Sequence, residues 1–168
     1  GPTADHTGNP ADKYIYLESS GSCNLREAKL ISPCFNLTGI ALPQASIWYH
    51  MFGTNMGELH VDVLADGIWN LDVIAPVKGN QGNAWNQLTI NLLSYVGKTI
   101  NIRFRGITGN GALSDLALDD FLIEDVTSPP VVNFTASTND VCINTAMLLT
   151  DQSINIPTAW KWTITPNT

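Results

Sequence analysis

The side chains in this sequence best suited to chemistry by type and spacing are carboxylates. Asp5 lies near the start, and Asp115, Asp119 and Asp120 lie close together further along. If the first and last strands of a sheet pair, these groups become neighbours. Several carboxylates beside backbone carbonyls form a hard oxygen site suited to Ca²⁺. Without a cation they repel one another and need shifted protonation to coexist. The alternative use is local, with Asp5 capping a turn and Asp119 or Asp120 bonding to a loop. A glycosidase pair would need a cleft lined by aromatic rings, and few aromatic residues lie near these positions in sequence.

Other catalytic signatures are missing. His6, His50 and His60 share no metal-ligand spacing of the HExxH kind. His50, inside the run Trp48-Tyr49-His50-Met51, reads as a hydrogen-bonded structural histidine, and His60 as an outward, solvated one. No GxSxG elbow occurs. The glycine-rich stretch Gly106–Gly111 has no Lys-Ser/Thr pair after it and no helix opening, so it reads as a flexible turn and not a phosphate loop. No catalytic residue is expected.

Cys23 and Cys34 lie close in sequence without CxxC or Cys/His spacing. A disulfide closing that short loop is the expectation, implying an oxidising compartment; two buried thiols are the alternative. Cys142 is left over. Trp48 is expected in the core, with at least one of Trp160 and Trp162, whereas Trp69 follows the Asp66-Gly67 turn and is the candidate for stacking on a glycan.

The elements that would position these residues are strands. Leu59, Val61 and Val63 alternate with Glu58, His60 and Asp62, the period-two pattern of a strand with one buried side. Asp66-Gly67 predicts a tight turn, and Ile68–Val77 the returning strand. Trp85–Leu92 and Leu116–Ile123 read as further strands. So does 100–105, where Ile100, Ile102 and Phe104 alternate with Asn101, Arg103 and Arg105. Only Ser19–Leu30 suggests a helical turn. Many short strands with polar turns and no crossover helices predict an all-β antiparallel sandwich.

Composition sets further bounds. A hydrophobic fraction of 44% with 14% charged residues suits a packed core, and the net charge of −7 leaves no basic cluster for nucleic acid. No apolar run is long enough for membrane insertion. The pair Pro129-Pro130 marks a linker over 127–130, dividing a first domain (1–126) from a shorter unit (131–168). In that unit Val132–Ser137, Ala146–Leu149 and Ala159–Ile164 read as strands.

Several ordered segments carry a family resemblance. They are Tyr14-Ile15-Tyr16-Leu17-Glu18-Ser19-Ser20, Ala28-Lys29-Leu30-Ile31-Ser32-Pro33 and Ile47-Trp48-Tyr49-His50-Met51-Phe52-Gly53. Gly57-Glu58-Leu59-His60-Val61, Ile102-Arg103-Phe104-Arg105-Gly106 and Asp115-Leu116-Ala117-Leu118-Asp119-Asp120-Phe121 follow. Together they make 1–126 resemble the MAM domain family, in the form found in secreted bacterial proteins. The resemblance implies a jelly-roll-like sandwich without catalysis, and a structural Ca²⁺ near Asp5, Glu18, Asp119 and Asp120. The usual vertebrate four-cysteine arrangement is absent. Val132-Asn133-Phe134-Thr135-Ala136-Ser137, Leu149-Thr150-Asp151-Gln152-Ser153 and Pro157-Thr158-Ala159-Trp160-Lys161-Trp162 resemble the first half of an immunoglobulin-like PKD domain.

The expected function is a non-catalytic extracellular adhesion or interaction module of a larger secreted or cell-surface bacterial protein. It would contact extracellular protein or glycan and the neighbouring domains of its parent. A carbohydrate-binding module using Trp69, and an accessory domain of a secreted protease, are the alternatives.

Overall fold

The computed structural model describes residues 1–9, 11–126, 131–138, 146–153 and 161–162. The chain divides into two compact units, Gly1–Val126 and Thr127–Thr168.

Among the described residues the first unit contains ten strands: β1 (Ile15–Leu17), β2 (Glu27–Ile31), β3 (Phe35–Asn36), β4 (Pro43–Met51), β5 (Glu58–Ala65), β6 (Ile68–Asn70), β7 (Val77–Lys78), β8 (Asn86–Asn91), β9 (Thr99–Ile107) and β10 (Leu116–Asp125). One sheet has the order β1-β10-β4-β8. The other has the order β2-β9-β5-β6, with β3 also on β9 and β7 also on β5. Every pairing is antiparallel. The expected jelly-roll-like sandwich is what the chain forms.

Period-two patterning explains the layers. Ala45, Ile47, Tyr49 and Met51 of β4, with Leu116 and Leu118 of β10, form one inner face. Leu59, Val61 and Val63 of β5, with Ile100, Ile102 and Phe104 of β9, form the other, and all are buried in a single core. Each Val, Leu, Ile, Met or Phe side chain among them contributes roughly 1.5–3 kcal/mol by leaving water.

Three sequence-based expectations give way to tertiary contacts. The stretch 19–30 forms turns leading into β2, with no helix. The return after Asp66-Gly67 is not one strand, because it breaks between β6 and β7. There Asp72 takes a left-handed φ of 50° and its N–H donates to buried Asp62 at 2.9 Å.

The glycine-rich stretch is packed and not flexible. A Cβ on Gly109 would overlap the Asn55 carbonyl, and one on Gly57 would overlap that of Ile107. Buried Ser114 accepts N–H bonds there from Gly109 at 2.6 Å and Gly57 at 3.1 Å.

In the second unit, β11 (Phe134–Ala136) pairs antiparallel with β12 (Leu149–Asp151). Strand β12 starts where the expected Ala146–Leu149 strand ends. Trp162 is exposed, with its ring edge-on to Phe134 at 5.3 Å. The expected linker at 127–130, Cys142, Trp160 and most of the Ala159–Ile164 strand lie outside the described residues.

Candidate functional site

The strongest electrostatic feature lies on the outer face of the second sheet. Asp62 is fully buried, with 0% exposure, on the face of β5 that the sequence assigned to solvent. It can be buried because β9 runs beside β5 and presents two arginines on the same face. Arg103 Nε donates to Asp62 Oδ2 at 2.8 Å, Arg105 Nε to the same oxygen at 2.6 Å, and Arg105 Nη2 to Oδ1 at 3.2 Å. Burial alone would raise the Asp62 carboxyl. Hydrogen bonds from Arg105, the Asp72 backbone and Arg103 override it and hold the pKa at about 2.

The cluster extends outward. His60 is buried, not solvated as its alternation suggested, with Nδ1 2.7 Å from Asp72 and Nε2 3.0 Å from Glu58. Lys78 pairs with Glu58 at 2.9 Å, and its hydrogen bond lowers that carboxyl below the ordinary range. The guanidinium of Arg103 lies 3.9 Å from the ring centroid of half-buried Trp69. One face of the proposed glycan platform is therefore taken by a cation–π contact.

The terminal-strand carboxylates are only partly gathered. Pairing of β1 with β10 brings the two ends of the unit together, and a bulge between Asp119 and Leu122 gives Asp120 a φ of 42°. Asp119 and Asp120 thereby meet His6. Among the described residues these three form the one His/Cys/Asp/Glu set with ligand atoms within 4.8 Å of one another. Asp119 Oδ2 accepts from the His6 backbone N–H at 2.9 Å. His6 Nδ1 lies 2.7 Å from Asp120 Oδ2, in a contact poorly aligned for a hydrogen bond.

Asp5 stands outside this set as a buried turn cap. Its Oδ2 accepts from Thr7 at 2.7 Å, which lowers its pKa, while Oδ1 is buried without a partner. Glu18 is exposed and accepts from the Ser20 N–H at 2.8 Å. Asp115 is tied to Ser19; burial pushes its carboxyl up, and the Ser19 N–H and hydroxyl bring it down below the usual value. His6 carried no spacing signal, because its neighbours come from the far end of the domain.

The N-terminal segment also packs against Trp48 and Trp85. Trp48 is half-buried and not in the core; its ring stacks on His6 at 4.4 Å, on the side of β4 facing away from the other sheet. Trp85 donates to the Ala4 carbonyl at 3.2 Å and meets Tyr14 edge-on. His50 is buried and bonded to Asn83 at 3.1 Å, the structural histidine expected.

The Cys23–Cys34 bridge does not form: both are exposed free thiols, neither bridged nor buried. The Cys23 carbonyl accepts from Thr108 at one end of β9, and Cys34 Sγ contacts Asn101 near the other. Seven residues of strand separate those anchors by roughly 23 Å, far beyond the reach of a disulfide.

The family description "MAM domain, meprin/A5/mu" matches residues 1–127. The chain belongs to the MAM family. Its MAM unit is 32% identical over 126 residues to rat MAM domain-containing glycosylphosphatidylinositol anchor protein 1, an alignment covering 74% of this chain and 13% of that protein. Neuropilin-1a of Danio rerio is 32% identical over 127 residues, again 74% of this chain and 13% of the relative. The chain thus spans a small fraction of these relatives' length. A solved sugar-binding protein, the EclA C-terminal domain, is 17% identical and covers 69% of this chain and 87% of its own. Its TM-score is 0.35, and nothing about function follows from so loose a likeness.

Proposed function

We propose that this MAM unit is a non-catalytic extracellular interaction module of a larger secreted or cell-surface bacterial protein, and that it binds an extracellular protein partner. The supporting observation is the use of its charged groups. The buried carboxylate and both arginines of the second sheet are consumed by one another, so recognition is left to edges and loop ends. Membership of a family whose relatives include a glycosylphosphatidylinositol anchor protein supports the location. The second unit serves as a PKD-like spacer to neighbouring domains.

Glycan binding is the weaker reading, since Trp69 carries Arg103 on one face and the N-terminal segment packs against Trp48 and Trp85. The test sets a glycan array beside a panel of immobilised extracellular proteins. Binding to a protein, unchanged by Trp69→Ala, is expected. Glycan binding abolished by Trp69→Ala would replace this reading with a carbohydrate-binding module.

A structural Ca²⁺ where the terminal strands meet belongs to the same proposal. Asp119 and Asp120 would hold it, and the unpartnered buried oxygen of Asp5 is a group that a cation satisfies. Calcium should raise the melting midpoint relative to chelator, and Asp120→Ala should remove the difference. An unchanged midpoint in the unsubstituted chain would refute it.

A further inference from the structure

We infer that a second copy of this chain pairs with the first through β2, joining their second sheets edge to edge. The Arg26 carbonyl accepts from the Thr108 N–H at 2.9 Å, and the Ser32 N–H donates to Ile102 at 2.9 Å. The register of β2 on β9 then turns the even-numbered residues of β2 toward β9. The N–H and C=O groups of Glu27, Lys29 and Ile31 point the other way, where no strand of the described chain pairs.

This edge is short and carries Glu27 and Lys29, but no proline or bulge interrupts its outward row of N–H and C=O groups, and its two charges are of opposite sign. All five residues of β2 are exposed, with Ile31 at 52% and Leu30 at 39%. Behind it, a groove of about 130 Å³ runs between β2 and β1, lined by Ile15, Tyr16, Ala28 and Leu30 among others. Ile15 and Tyr16 are themselves half exposed. An open edge beside an exposed apolar strip favours an added strand over solvent.

The charges select the occupant. A two-fold axis through Ala28 sets Glu27 of each copy directly opposite Lys29 of the other, with the two Ala28 side chains meeting at the groove. Each such pair exchanges both backbone hydrogen bonds. Within one copy Lys29 already reaches Glu27 at 2.9 Å, so the two copies together build an alternating square of charges. Shifting the register by one step would oppose Lys29 to Lys29, which is disfavoured. The sequence of β2 is thus complementary to itself in one antiparallel register, as an isologous dimer requires. This pairing is independent of which outside partner the module binds.

The test is sedimentation of the full chain and its variants over a concentration series, with melting curves to confirm that each remains folded. The unsubstituted chain should show a concentration-dependent dimer. Lys29→Glu should weaken it by roughly tenfold or more, because both cross-strand pairs become repulsive. Mixing the Lys29→Glu and Glu27→Lys variants should restore a dimer, since every opposed pair is again of opposite sign. Lys29→Pro removes only an outward N–H, leaves the ladder to β9 intact, and should give a folded monomer. A chain monomeric to about 1 mM, a dimer indifferent to Lys29→Glu and Lys29→Pro, or a mixture that stays monomeric would each overturn the pairing.

Discussion

Replacing Asp62 by Asn tests how the second sheet is held. The substitution keeps size and one acceptor but removes the charge between two arginines whose side chains are only 12% and 13% exposed. The carboxyl pKa falls from 3.8 to about 2 on folding, and a shift of that size corresponds to about 2–3 kcal/mol of stability at neutral pH. The folded value lies below the unfolded one, so this contribution is complete above pH 3.8 and disappears as pH falls through 2. Asp62→Ala should cost more, roughly 3–5 kcal/mol, because it strands both guanidinium groups. Urea unfolding, followed by amide NMR signals of β9 so that the first unit is read alone, gives the difference at pH 7 and again near pH 2. A cost at pH 7 that shrinks toward pH 2 is expected. Asp62→Asn within about 0.5 kcal/mol of the unsubstituted chain at pH 7 would refute the reasoning.

Further outcomes follow from single contacts. Ser114→Ala leaves the N–H groups of Gly57 and Gly109 without their acceptor and should cost about 1–3 kcal/mol in the same unfolding measurement. Gly109→Ala must displace the Asn55 backbone; a melting midpoint lowered by several degrees is expected, and an unchanged midpoint would contradict the close approach. Cys23 and Cys34 are free and exposed, so both should react with a thiol reagent without prior reduction. Protection of the pair until reductant is added would show a bridge.

The parts legible in the sequence were those set by local periodicity. Alternation in 58–63 and 100–105 located β5 and β9, because a strand with one buried face must repeat every second residue. The same alternation misassigned His60 and Asp62, since a period of two separates faces but does not say which face is dry. Arg103 and Arg105 share the outer face of the neighbouring strand with Asp62. Two cations and an acid on the polar faces of two strands were the available signal, but only the β5–β9 register reveals that they meet. At the candidate cation site, Asp119 and Asp120 were visible as a doublet, whereas His6 joins them only through the return of the chain end. The break at Asp72 and the separation of the cysteines were hidden for the same reason: contacts distant in sequence decide them.

Arg103 and Arg105 are committed to Asp62 inside the domain and not offered to a ligand. The Nε–H resonances of the two arginines report this directly. Slow exchange with solvent at pH 7, lost in Asp62→Asn, is the predicted result. Rapid exchange at both, or a shift of either signal on adding a simple anion such as sulfate, would show the guanidinium groups free to bind and would contradict it.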